Sequence, residues 1–146
     1  MKFSIESVNI SEKKGIQKRP VGKIELQEGF GIVGDAHAGK WHRQVSFLSG
    51  EAIDYMRKKS NGFKINNGDF GENIVTRGID WKTVRVGDRI KINDVEMEIT
   101  QIGKKCHSGC AILDAVGECI MPKQGIFARV LKGGTISDKD IGYYNI

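Results

Sequence analysis

Proline is nearly missing from this chain, with two in 146 residues against nineteen glycines. Few positions therefore block a strand, and many allow a tight turn. Cysteine is scarce as well. The three cysteines are an odd number confined to the last third, at Cys106, Cys110 and Cys119. A stapled secreted scaffold carries an even, dispersed set, so a disulfide framework is excluded as the organising device. No apolar run approaches the roughly 20 residues of a membrane helix. Met1 to Ile10 alternates charged and β-branched residues and lacks the apolar core of a signal peptide. These absences lead to the expectation of a soluble, cytoplasmic protein with no membrane attachment. Aromatic residues, at 8%, are not interleaved with the basic pairs Lys13-Lys14, Lys18-Arg19, Arg57 to Lys59 and Lys104-Lys105. A single-strand or RNA platform needs that interleaving, so no nucleic-acid partner is expected and these charges read mostly as a solvated face.

What is present is one domain's worth of foldable chain. Hydrophobic residues make up 39% and no linker or composition shift divides residues 1–146, which fits a single globular domain. The net charge is +5, from 23 Lys and Arg against 18 Asp and Glu. A field of that size suits a phosphate-bearing small molecule, nucleic acid or an acidic partner and does not choose among them.

Short apolar runs bounded by turn residues predict strands over Phe3 to Ile10, Lys23 to Leu26, Gln44 to Leu48, Val86 to Ile92, Glu96 to Ile102 and Ile126 to Leu131. Asn93-Asp94 reads as a hairpin turn, and Gly133-Gly134 followed by Thr135 to Ser137 reads as a second, late hairpin. Ser49 is placed to cap a helix running to about Lys59, with Glu51 in its first turn, Arg57 to Lys59 in its last and Gly62 to stop it. A second short helix is predicted over Ala111 to Val116. The sum is a mainly β, barrel-like domain with one or two short helices.

Gly34 to Lys40 has the G-x-x-x-x-G-K frame of a phosphate loop, but Trp41 stands where Ser or Thr should hold magnesium, and a strand rather than a helix follows. Nucleotide hydrolysis is set aside on that ground. Asp35, His37 and His42 match no common zinc spacing, so a hydrogen-bonding role is expected of them. Glu72, a lone carboxylate beside glycine, reads as solvated or as a turn former. Asn73, ahead of a strand, has an amide able to donate and accept to a heterocycle.

Cys106, His107, Cys110 and Cys119 offer three sulfurs and an imidazole, the number for a closed zinc site, although no C-x-x-C knuckle is present. Cys110 and Cys119 also fit as small buried hydrophobes. Cys106 fits that role poorly. Lys104-Lys105 before it and His107 after it favour the thiolate, the nucleophilic and metal-ligating form.

Taken in order, GDAHAGKWHRQVSFLS (Gly34 to Ser49), GDFGENIVTRGID (Gly68 to Asp80), VGDRIKI (Val86 to Ile92) and GIFARVLKGG (Gly125 to Gly134) resemble the MOSC domain, the C-terminal domain of molybdenum cofactor sulfurases. The segments IGKKCHSGC and GECIMPKQG are similar to those of a short, free-standing bacterial subgroup associated with molybdenum cofactor biosynthesis. The resemblance implies a β-barrel with a cysteine at the end of a strand, which is Cys106 here. It implies either a cysteine persulfide that carries sulfur or a molybdenum cofactor (molybdopterin) site in which Cys106 ligates molybdenum. A soft thiolate suits both uses. It further implies that His37, Lys40, Arg43, Asn73 and Arg129 line the cofactor site. No pyridoxal-phosphate desulfurase domain lies within these residues, so the implied partner is a separate cysteine desulfurase or a cofactor biosynthesis protein, with a pterin as the small-molecule ligand. Any enzymatic activity would then be sulfurtransferase-like and desulfurase-dependent. Two alternatives stay open: a small molybdenum reductase of N-hydroxylated compounds, and a zinc-stabilised module without catalysis. Gly71 stands where the reductases tend to carry arginine, and Lys139-Asp140 replaces the family's usual Gly-Asp.

Overall fold

The computed structural model describes residues 1–60, 64–103 and 124–145. Seven strands close into a barrel in the order β1 (Lys2–Ile10), β11 (Ile141–Tyr144), β7 (Arg89–Ile92), β8 (Val95–Ile102), β9 (Ile126–Lys132), β5 (Val45–Ser49) and β6 (Ile74–Arg77), with β6 returning to β1. Every neighbouring pair is antiparallel except β5 and β6. That parallel pair needs a crossover, and α1 (Gly50–Lys59) begins it. The short β2 (Arg19–Pro20) pairs antiparallel with the end of β1, while β10 (Gly134–Ser137), β3 (Lys23–Gln27) and β4 (Gly31–Ile32) make a separate small sheet.

Alternation along the strands sorts side chains into two cores. Phe47, Ile74, Ile99, Ala128 and Val130 point into the barrel. Leu48, Val75 and Phe127 point outward and are covered by Ile53 and Met56 of α1 together with Ile65. Trp81, in a 3-10 turn, fills one end of the barrel: its ring meets Phe3 and Phe47 at 5.7 Å each and Tyr144 at 6.4 Å. Its Nε1 donates to Thr76 Oγ1 at 2.9 Å, so the buried indole keeps its hydrogen bond. Gly142 is required beneath Phe3, because a Cβ there would lie 2.4 Å from the ring.

The helix follows its sequence signals. Ser49 Oγ accepts from Ala52 N at 3.2 Å, and the helix ends at Ser60 with Arg57, Lys58 and Lys59 in the last turn. Gly62 and the helix expected over 111–116 lie outside the described residues. Asn93 takes φ 54 in the two-residue link between Ile92 and Val95, as the hairpin reading requires. Two readings are corrected. β7 begins at Arg89, not Val86, because the Asp88 carboxylate accepts from Arg85 N at 2.8 Å and builds a turn there. The late hairpin does not form: β10 pairs with β3, in register Ile136↔Ile24. The Gly133-Gly134 pair is a crossing point instead. A Cβ on Gly133 would lie 2.4 Å from Leu26 O, so glycine lets the chain pass from barrel to small sheet at close range.

Candidate functional site

The chain between β4 and β5 is the loop that the sequence singled out, and it is anchored from within. Asp35, whose side chain is fully buried, accepts from Ser11 N at 3.1 Å through Oδ1 and from His37 N at 3.2 Å through Oδ2. Lys18 Nζ donates to Asp35 Oδ1 at 2.7 Å and to Ser11 Oγ at 3.2 Å, and lies 3.0 Å from His37 Nδ1. The Lys18 side chain is only 1% exposed, which corrects its reading as part of a solvated basic face. The adjacent Arg19 does stay exposed, pairing with Glu12. No helix follows Lys40, and β5 begins at Val45, so the phosphate-loop context is absent from the structure too.

Above this anchor sits Trp41. Its Nε1 donates to His37 O at 2.7 Å, and the two rings are nearly parallel, 12° apart with centroids 6.4 Å apart. The Arg43 guanidinium lies 4.6 Å from the Trp41 ring and 5.8 Å from Phe127, and Lys14 Nζ lies 5.6 Å from the indole. Two cations are thus held against the indole. Arg43 Nε is buried and has no hydrogen-bond partner among the described residues. Lys40, in the same loop, is exposed.

His42 ties the loop to the barrel. Its Nε2 lies 2.8 Å from Gln101 Oε1, and the Thr100 hydroxyl donates to its backbone oxygen. Gln101 Nε2 donates in turn to Gly103 O at 2.8 Å, and Gly103 N to Gly125 O at 2.6 Å. On the other side of the same strand end, Ile102 lines a groove of about 1010 Å³ with Glu51, Tyr55, Trp81, Lys82 and Gln124. The end of β8 therefore stands between a basic, aromatic loop and an open groove. Cys106, with Cys110, Cys119 and His107, lies outside the described residues.

Glu72 and Asn73 are buried rather than displayed, at 0% and 1% exposure. Asn73 Oδ1 accepts from Ser46 N at 3.0 Å, and its Nδ2 donates to Asn9 O at 3.1 Å, so the amide clips β5, β6 and β1 together. Glu72 is the turn former of the two sequence alternatives: its oxygens accept from Gly68 N at 2.9 Å and Phe70 N at 3.1 Å. Loss of water around it pushes the carboxyl up to about 7, against the pull of those backbone donors. Gly68 itself has φ 96 and leaves no room for a Cβ, which would meet Lys18 O at 2.3 Å.

The structure gathers His37, Arg43 and Lys40 in one loop and places the other two predicted lining residues elsewhere. Asn73 spends its amide on the strands, and Arg129 lies on the outer face of β9, paired with Glu98 at 2.7 Å. Among the described residues, no three His, Cys, Asp or Glu side chains cluster as metal ligands. Sequence reasoning missed Lys18 and Trp41 as parts of the site. Trp41 carried a signal, an indole between Lys40 and His42; Lys18 carried none.

The fold is a closed β-barrel with a cationic, indole-centred loop seated on one strand end. The chain belongs to the MOSC domain family, whose sequence profile matches residues 34–141. MOSC domains are associated with molybdenum-cofactor-related function. Among solved structures, the chain is similar to the YUAD protein from Bacillus subtilis, with a TM-score of 0.82 at 19% identity, covering 100% of this chain and 97% of that one. YiiM from Geobacillus stearothermophilus gives 0.72 at 20% identity, covering 97% and 74%. YiiM from Escherichia coli gives 0.67 at 17% identity, covering 99% and 69%. At such identities the likeness concerns the fold alone. No curated protein sequence matches the chain significantly. Among the described residues, no helix is long and apolar enough to cross a membrane.

Proposed function

We propose that this MOSC domain binds molybdenum cofactor, or relays sulfur towards it, through Cys106. The observation that supports this best is the 2.8 Å bond between His42 and Gln101. It seats the loop of His37, Trp41 and Arg43 against the end of β8, the strand that leads in sequence to Cys106. The donor set suits an anionic, aromatic group. Arg43 offers a buried N–H without a partner among the described residues, Lys14 and Lys40 offer exposed charge, and Trp41 offers an indole. On this reading Arg43, Lys14 and Lys40 would hold the phosphate and Trp41 the pterin, with the Cys106 thiolate on molybdenum. The bound group supplies oxygen- or sulfur-transfer chemistry that side chains lack. Asn73 contributes by fixing the strands beneath the loop, and Arg129 by its charge on the neighbouring outer face.

In the relay version, the Cys106 thiolate attacks the outer sulfur of a desulfurase persulfide. A sulfur–sulfur bond forms on Cys106 as the desulfurase's own breaks, and the desulfurase cysteine leaves as thiolate. Two measurements test the reading. Protein from a cofactor-producing host should carry molybdenum and pterin fluorescence, and Cys106→Ser should lose the metal. Incubation with a cysteine desulfurase and cysteine should add one sulfur mass to the wild type and none to Cys106→Ser. Absence of metal, pterin and sulfur adduct together overturns it.

A further inference from the structure

Lys18 is an ammonium sealed inside the anchor of an otherwise accessible loop. Its side chain is 1% exposed and that of its partner Asp35 is fully buried. Burying such a pair is a poor route to stability, since desolvating two charges consumes most of what their attraction returns. A methionine and an apolar partner would fill the same space at less cost. The third contact of the ammonium gives it a different use. Nζ has three protons and no lone pair; two meet Asp35 Oδ1 and Ser11 Oγ, and the third faces His37 Nδ1 at 3.0 Å. Nδ1 must then be the acceptor, because two donors facing at that distance repel.

We infer that Lys18, held by Asp35 and Ser11, is a positioning residue that locks His37 as a neutral imidazole with its proton on Nε2. His37 is restrained at two further points: its N–H donates to Asp35 Oδ2 at 3.2 Å, and its carbonyl accepts from Trp41 Nε1 at 2.7 Å. Main chain and ring nitrogen are thus fixed by one buried acid–base pair, and the ring lies along the Trp41 indole. The consequence is chemical. Nδ1 is closed to metals, and the donor nitrogen is Nε2, which recognises an oxygen acceptor without adding a positive charge. The ligand in question rests on the proposed function above; the tautomer does not.

The test separates the two. Long-range nitrogen–proton NMR on ¹⁵N-labelled protein, with no cofactor bound, should show His37 with a protonated Nε2 and a bare Nδ1. In Lys18→Met/Asp35→Asn, which removes both buried charges together, the His37 pattern should change to that of an exchanging imidazole, while His42 keeps its own. A wild-type His37 protonated at Nδ1, or a pattern indifferent to loss of Lys18, overturns the inference. If the double variant does not fold, the wild-type spectrum alone decides. With cofactor-loaded protein, His37→Gln keeps a donor near Nε2 and should retain pterin within about twofold. His37→Asn moves the donor towards the Nδ1 position and should lose at least about tenfold, the scale of one hydrogen bond to a charged group. Equal loss in both variants refutes Nε2 as the donor nitrogen. If wild type takes up no cofactor, the ligand reading fails and the unloaded NMR result still decides the tautomer.

Discussion

Lys18 Nζ and Asp35 Oδ1 stand 2.7 Å apart, with both side chains closed to solvent, and Asp35 also holds Ser11 and His37 by their backbone N–H groups. Removing one charge leaves the other stranded. Lys18→Met alone should lower unfolding free energy by about 3–5 kcal/mol in urea titrations. Lys18→Met/Asp35→Asn should recover much of that loss, and a double variant no more stable than the single one would contradict the pairing as the source.

Glu72 predicts a pH dependence opposite to that of most carboxylates. Burial raises its folded value from 4.5 to about 7, so between these pH values the native state keeps a proton that the unfolded chain has released. Its contribution to stability is therefore full below pH 4.5, declines as pH rises towards 7 and levels off above. The slope is at most about 1.4 kcal/mol per pH unit. Glu72→Gln should flatten that part of the stability profile, and an unchanged profile would show that Glu72 does not titrate there.

Gly142 tests the barrel's inner packing. Gly142→Ala drives a methyl to 2.4 Å from the Phe3 ring. The ring must shift from its packed position, and a loss of about 1–3 kcal/mol is expected by denaturant unfolding. Phe3→Leu in the same background should return part of it.

Arg43 should matter to ligand far more than to fold. Its stacking on Trp41 is worth about 0.5–1 kcal/mol, so Arg43→Ala should unfold near the wild-type denaturant midpoint. Pterin and molybdenum retention should fall about tenfold or more for a lost charged hydrogen bond. Arg43→Lys should rescue only in part, because a point charge replaces a planar fork that also lies on the indole.

The barrel was readable in the sequence where local pattern and tertiary role agree. Phe3 to Ile10 alternates because β1 has an inside and an outside, and Ser49 announces α1 because a cap is a local device. Asn93 announces its turn for the same reason. Pairing partners were not local. Gly133-Gly134 looks like a hairpin turn, yet only the close approach of Leu26 O explains it. Lys18, written beside Arg19, looks like surface charge, and its burial depends on Asp35 and His37, seventeen and nineteen positions away. Glu72 was half legible: its turn-forming habit follows from nearby glycines, whereas its desolvation comes from the packing of distant strands. Trp81 gave no hint that it plugs the barrel, since three of its contacts, Phe3, Phe47 and Tyr144, are far off in sequence.

The pairing of β1 with β11 has a consequence for biosynthesis. Lys2 lies opposite Tyr143, so β1 finds one of its two barrel neighbours only after the other strands of the barrel have been made. Until then β1 has β6 on one side, and on the other only β2 at Asn9 and Ile10, so its Lys2 to Ser4 stretch is an open edge, a template for mispairing between nascent chains. Contacts of such long sequence separation also slow the final step. Closure of this barrel thus waits on its last strand, and the interval before it is when the chain most needs protection from its neighbours.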